Sequence, residues 1–408
     1  MNKTRLKKYA NLIARVGVNV QKGQEVIITA ELDQPEFVKM VVDECYKAGA
    51  KKVSVDFSYQ PLTRSHVRYC NEKVLGSLDK WQLEKWEHQA EVIPCKIYLM
   101  SENPDGLNGI NQKKYAKAMA QRSKLIKPIR AKMENKYQWC IAAVPGKEWA
   151  KKVFPGERVS AAVEKLWEAI LDTSRVNDDP IEAWRLHNEN LLNRCNYLNG
   201  LGIDELHITA GNGTDIKIGL IPDVLFCGGG ENALGSGIYF NPNIPSEEVF
   251  TSPMKGKAEG IVYSSKPLAY AGVLIENFFV KFEGGRAVEV GAEKNEEALR
   301  ELIAMDEGAA YLGECALVPY TSPIRESGLL FYNTLFDENA ACHLALGRGF
   351  TNLLKGYENL TEEECHKAGI NDSIVHEDFM IGTKDMNITA KCRDGRTVDI
   401  FRDGEWAF

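Results

Sequence analysis

Apolar positions in the first half of the chain recur in two rhythms. Between Arg5 and Val16 they fall at Leu6, Tyr9, Leu12, Ile13 and Val16, the spacing of an amphipathic helix, with Gly17 after the last turn. Glu25–Ala30 is a short β-rich run. Gln34–Lys47 is helical again, with Phe37, Val38, Val41, Val42 and Cys45 on one side, and it closes at Ala48-Gly49. Lys52–Phe57 is a second strand. Strand, helix and strand in close succession form a βαβ unit, which predicts a parallel sheet, because parallel neighbours need a crossover between them. Cys95–Met100, just after Pro94, and Trp139–Val144 continue the series as strands, and Ser160–Leu171 reads as a helix.

Asn177-Asp178-Asp179-Pro180 interrupts this pattern with a polar break, and a helix over about Ile181–Leu198 follows. The break divides the chain into an N-terminal α/β domain with a parallel sheet over 1–185 and a second domain over 186–408. Single cores stop growing at roughly 250–300 residues, so a chain of 408 needs such a division. Beyond the break the elements shorten. Leu206–Thr209 and Asp215–Ile218 alternate around Gly211-Asn212-Gly213 as a hairpin. Lys257–Tyr263, Ala271–Lys281, Ala287–Val290 and Ala310–Val318 read as strands and Asn295–Met305 as a helix, so the second domain is a mixed α+β fold.

Composition adds mainly exclusions. The chain is 44% apolar and 26% charged, as ordinary globular proteins are. Its net charge of −7 lacks the basic field of a nucleic-acid partner. Lys3, Arg5, Lys7 and Lys8 open a helix and read as a solvated face. No apolar run is long enough to span a membrane, and the N-terminus lacks a signal-peptide pattern. The ten cysteines form no CxxC pair, which speaks against a zinc ribbon and fits small core residues in a reducing, cytoplasmic setting.

Two of the seven histidines lie in distinctive patterns. An apolar, strand-like run from Phe331 ends at Asp337-Glu338-Asn339, and small residues lead on to His343. Glu338 and His343 are five apart, about 500° around one helix, and so share no helical face. They converge only if Glu338 sits on a loop or at a helix start; otherwise the pair is a capping acid and a core histidine. In Ser373-Ile374-Val375-His376-Glu377-Asp378, strand alternation puts His376 and Asp378 on one side, where an imidazole and a carboxylate can chelate one ion. The alternative is a surface ion pair. Glu314 faces the same way as Ala316 and Val318 in Leu312-Gly313-Glu314-Cys315-Ala316. It is costly to bury unless paired or bound to metal, and otherwise reaches solvent from an edge strand. Glu248, in Pro245-Ser246-Glu247-Glu248-Val249-Phe250-Thr251, is either a ligand or a solvated loop acid. Gly228-Gly229-Gly230 lacks the GK[ST] ending of a phosphate loop and reads as a flexible loop. His66, His88, His187, His207 and His366 read as structural or surface residues, and Cys342 as packing.

The stretches PSEEVFTSP, LGECALVP, GLLFYNTLFDENAACHLALGRG and HEDFMIGT occur in this order. They resemble the four signature regions of the metal-dependent aminopeptidases of the aminopeptidase T / aminopeptidase S family (peptidase family M29). YANLIARVGVNVQKGQEVIIT and AGAKKVSVDF are similar to that family's opening, so the resemblance covers essentially the whole chain. It implies a cocatalytic pair of divalent ions (Zn, Co or Mn) held by Glu248, Glu314, Glu338, His343, His376 and Asp378. Four carboxylates and two imidazoles balance two divalent charges and would repel one another without them. The implied chemistry is hydrolysis of short peptides with a free N-terminus by a hydroxide bridging the ions, in a homodimer that encloses its active sites. Glu314 is the candidate for relaying the proton to the leaving amine, with a bridge between the two ions as its alternative role.

One position departs from the family pattern. Where the family often has a tyrosine, seven residues after the DENAxCH histidine, this chain has Phe350, so that hydroxyl is missing. Two other readings therefore stand beside the aminopeptidase. One is a catalytically weak metal-binding scaffold homologue, and the other is a different metal-dependent amide hydrolase.

Overall fold

The computed structural model describes residues 2–270 and 272–408, so Ala271, the start of one expected strand, lies outside the described residues. The chain forms two compact units, Met1–Arg185 with Gly230–Pro245, and Leu186–Gly229 with Ser246–Phe408. The sequence reading kept 230–245 with the second domain. They return to the first unit because Asn243–Ile244, a strand of two residues and too short for any periodicity, adds to that unit's sheet.

The first unit is built on β1 (Glu25–Glu31), β2 (Lys52–Ser58), β3 (Cys95–Met100) and β4 (Trp139–Ala143). With Asn243–Ile244 they make an all-parallel sheet in the order β2, β1, β3, β4, Asn243–Ile244. Alternation along β1 buries Val26, Ile28 and Ala30 on one face. Helices α1 (Lys3–Leu12), α2 (Pro35–Ala48) and Val159–Thr173 bring Tyr9, Phe37 and Trp167 together, with ring centroids 5.1–6.5 Å apart. Arg5, expected on a solvated face, is partly buried against Glu168 (2.5 Å) and Asp172 (2.7 Å).

The first helix ends differently from its sequence reading. Past Leu12 it continues as one π-helical turn, Ile13–Gly17. Gly17 is there for space rather than for left-handed backbone: a Cβ on it would lie 2.8 Å from Cys140 Sγ. Eight of the ten cysteines are buried, and all are free thiols.

The second unit holds two antiparallel sheets. The larger runs Leu268–Tyr270, Val273–Glu283, Pro253–Tyr263, Asp215–Leu220, Ile203–Thr209, Asn387–Cys392, Thr397–Arg402, Glu405–Trp406, with Arg286–Lys294 also paired to Val273–Glu283. The smaller has four strands: β5 (Val249–Thr251), β6 (Leu312–Leu317), β7 (His343–Gly347) and β8 (His376–Met380), adjacent in that order. Leu206, Ile208, Ile216, Ile218 and Phe278 of the large sheet share one core with Leu344 and Phe379 of the small one. This matches the expected pair, a parallel α/β domain and a mixed α+β domain. Among the described residues no helix is long and apolar enough to cross a membrane.

Candidate metal centre

The four-stranded sheet carries four of the six expected side chains, and a fifth, Glu248, lies just before it. β6 is central in its sheet, so Glu314 cannot reach solvent as an edge acid would, and it is 5% exposed. Antiparallel register sets Glu314 opposite Ala345, and Ala345 opposite Asp378. His343 opens β7, and His376 and Asp378 share one face of β8, as alternation requires. Glu248 lies one residue before β5. Two residues on, Phe250 exchanges backbone hydrogen bonds of 2.9 and 2.8 Å with Cys227. The neighbouring Gly228 packs so closely that a Cβ would lie 2.4 Å from the Glu248 carbonyl oxygen. Gly228, within the expected glycine loop, thus leaves room for the Glu248 backbone.

The block around Glu338 is not strand-like. Tyr332 takes left-handed backbone (φ 55°), and the Asp337 carboxylate accepts the amides of Phe331 (2.9 Å) and Asn333 (3.1 Å). The chain then turns through Thr334–Asp337 into a 3₁₀ turn that Glu338 opens. That is the helix-start position at which Glu338 and His343 can converge.

The carboxylate and imidazole atoms form two overlapping triads. Ligand atoms of Glu248, Glu314 and His343 lie within 4.8 Å of one another, as do those of Glu314, His376 and Asp378. Glu314 belongs to both. His343 Nε2 is 3.2 Å from Glu248 Oε2; His376 Nε2 is 3.1 Å from Glu314 Oε2 and 3.4 Å from Asp378 Oδ1. Glu338 lies beside them in neither triad, but its carboxylate feels the charges of Asp378, Glu248, His343 and Glu314.

Both imidazoles are aimed by their far nitrogens. His343 Nδ1 donates to the Ala341 carbonyl (3.1 Å) and His376 Nδ1 to the Arg348 carbonyl (2.7 Å). A carbonyl only accepts, so the proton sits on Nδ1 and Nε2 faces the carboxylates. Metal-ligating histidines are oriented in this way. The Phe350 ring centroid is 4.9 Å from that of His376 and 5.6 Å from that of Phe250, where it packs without a polar atom to offer.

The electrostatics call for cations. Burial pushes the Glu314 carboxyl up to about 7, against the pull of the His376 bond and with the help of Asp378 and Glu248. Burial and then Asp378 and Glu248 push Glu338 well above its ordinary value. Burial opposes charge on the imidazoles, but Glu248 lifts His343 to about 10, and Asp378 and Glu314 lift His376 to about 12. Burial also opposes the Asp378 charge, and His376 outweighs it to hold that carboxyl below its usual range. Without metal the cluster balances its charge only by keeping protons on its carboxyls and imidazoles, and Asp378 Oδ1 lacks a hydrogen bond of good geometry. Carboxylates and imidazoles crowded in this way suit divalent metal in ligand type.

A surrounding layer went unread in the sequence. Asn339, fully buried, accepts the Glu247 amide (2.7 Å) and donates to Glu338 Oε1 (3.3 Å). His187 Nε2 lies 2.7 Å from the Ser246 carbonyl and 3.9 Å from Glu247 Oε2. Asn339 lay within the motif block as a possible signal; His187, 59 residues from Ser246, gave none.

Known proteins share this architecture along its length. Aminopeptidase AmpS of Bacillus subtilis is 42% identical over 406 residues, covering 99% of this chain and 98% of that protein. Aminopeptidase T of Thermus thermophilus is 40% identical with the same coverage. The solved structure of wild-type AmpT from Thermus thermophilus superposes with a TM-score of 0.91 at 38% identity, covering all of both chains. The family described as thermophilic metalloprotease (M29) matches residues 2–406, and this chain belongs to it.

Proposed function

We propose that this protein is a metalloaminopeptidase that releases N-terminal amino acids from short peptides with two divalent ions, held by Glu248, Glu314, Glu338, His343, His376 and Asp378. The observation that carries this reading is the pair of overlapping triads with Glu314 in common. Bound divalent ions supply a lowered water pKa and a Lewis acid for the scissile carbonyl.

The side chains divide the remaining work. Glu314 reads as the shared ligand because it faces both triads. The proton relay expected of Glu314 then passes to Glu338, an outer ligand that belongs to neither triad. Glu338 and Asp378 also line a small cavity of about 60 Å³, walled by Leu268, Leu330 and Met380. That cavity suits an apolar N-terminal side chain, with the carboxylates receiving the α-ammonium. A homodimer and a cytoplasmic address belong to the same proposal; light scattering of the metal-loaded protein tests the first.

Hydrolysis of a panel of amino-acid anilides and their N-acetyl counterparts tests the function. The account expects turnover of free-amine substrates only, abolished by chelator and by Glu338→Gln. Phe350, apolar and packed on His376, favours the scaffold alternative, and absence of turnover at saturating Zn²⁺, Co²⁺ and Mn²⁺ would establish it. Activity confined to N-blocked substrates would instead make the protein a different amide hydrolase.

A further inference from the structure

We propose that the first unit carries a second small-molecule site, at the carboxyl edge of its parallel sheet, for a primary ammonium on an apolar body: a free amino acid or the first residue of a short peptide. The proposal does not depend on the metal centre.

The topology makes room for it. From β1 the chain moves outward to β2, then crosses back to β3 on the other side of β1. Loops leaving β1 and β3 diverge, and in open α/β sheets a crevice opens at the carboxyl ends of the strands where the order reverses. A cavity of about 750 Å³ lies there, within the size range of small-molecule sites. Its shape depends on Gly146, where a Cβ would fall 2.2 Å from the Ser101 carbonyl oxygen.

The floor of the cavity is negative and short of cations. Glu31, the last residue of β1, is 7% exposed; its Oε1 accepts the Ser58 hydroxyl at 2.6 Å, and among the described residues no cation pairs with it. Among the described residues, Asp33 accepts only long bonds, from the Ser101 hydroxyl and the Lys147 amide, both 3.4 Å. A carboxylate as deep as Glu31 is costly without a counter-charge. The rim carries both signs: Asp105, paired with Lys152 at 2.8 Å, and Glu148 line it beside Arg64 and Lys147. Arg64 is fixed there by bonds from Nη1 to the carbonyls of Gly106 (3.1 Å) and Asn108 (2.6 Å), and the exposed Lys147 side chain is in no ion pair among the described residues.

Glu31 also lines a second cavity, of about 340 Å³, walled by Tyr98, Trp139 and Ile141. Register places Thr29 beside Tyr98, and Tyr98 beside Ile141, on one sheet face. An ammonium on Glu31 and Asp33 can therefore send an apolar side chain along this aromatic wall, while a carboxylate turns toward Lys147 and Arg64. None of the six candidate metal ligands lines either cavity.

Calorimetry on the full-length, metal-loaded protein tests this with four probes: L-phenylalanine, its N-acetyl derivative, phenethylamine and a reduced-amide Phe-Gly analogue. Crystals soaked in L-phenylalanine locate the site. The expected result is density for phenylalanine against Glu31. Glu31→Gln should weaken both L-phenylalanine and phenethylamine by at least about tenfold. N-acetylphenylalanine should bind at least as much more weakly, and Lys147→Gln should weaken L-phenylalanine but not phenethylamine. Tighter binding of the dipeptide analogue than of phenylalanine would identify peptide as the occupant; the reverse would identify free amino acid. Equal binding of the blocked and free amines, titration unchanged by Glu31→Gln, or a soaked crystal with no density in the crevice would overturn the proposal.

Discussion

At the scale of single residues, the proposed chemistry depends on which carboxylate does what. Glu314 faces both triads and Glu338 neither, so their amide variants should separate. Glu314→Gln is expected to loosen both ions and to cost at least about 100-fold in turnover. Glu338→Gln should loosen the ions less than Glu314→Gln does and still lose turnover, which metal content measured alongside kcat will read. Asn339→Ala strands the buried Glu247 amide and frees Glu338, at a cost of roughly 10–100-fold in metal affinity or activity. Isothermal titration with Zn²⁺ checks this. Part of the site was legible in the sequence at this scale. His376 and Asp378 converge by simple alternation along β8. Glu338 and His343 do not share a local period, because a 3₁₀ turn and the extended Ala341 separate them. They, like Glu248, were reached through family resemblance.

Elements explain why that local reading stopped short. The Phe331 run has strand composition, but the left-handed backbone at Tyr332 and the amide bonds to Asp337 turn it away from any ladder. Composition cannot register a carboxylate that captures two backbone amides six and four residues upstream. The glycine of the LGE motif has a similarly tertiary cause. A Cβ on Gly313 would lie 2.2 Å from the Arg348 carbonyl oxygen, at the bulge between Leu312 and Glu314. Backbone cannot yield as a side chain can, so Gly313→Ala must spread β6 from β7. It should destabilise the fold by about 1–3 kcal/mol and displace Glu314, with metal affinity falling further than stability. Denaturant titration and metal titration together measure both. In the first unit, Lys96 on β3 lies between the Trp86 and Tyr137 rings, at 4.8 and 4.7 Å, and burial lowers its pKa to about 8. Unfolding restores the ordinary 10.5, so the unfolded chain holds that proton more tightly and stability rises with pH between about 8 and 10.5. Lys96→Met should flatten that slope in urea unfolding curves.

For the molecule as a whole, the α/β-then-α+β order was legible because each unit keeps one rhythm over many residues. The return of 230–245 to the first unit was not, since two residues of strand carry no period. The metal centre also sets how the whole fold responds to pH. Glu314 is raised to about 7 from 4.5, and His343 to about 10 from 6.5. A group with a raised folded pKa stabilises the protein below its unfolded value and loses that contribution as pH climbs through the folded one. Metal-stripped protein should therefore lose stability progressively from about pH 5 to pH 10. Metal-loaded protein should not, because cations replace the protons; at 100 times Kd they add about 2.7 kcal/mol. Thermal unfolding with and without chelator across that range tests the difference. The most direct test is anomalous scattering from a crystal grown in Zn²⁺, recorded at the zinc edge. The account predicts two peaks sharing Glu314, one at Glu248 and His343 and the other at His376 and Asp378, each about 2.0–2.2 Å from its ligand atoms. A single peak, or zinc bound only elsewhere, would contradict it.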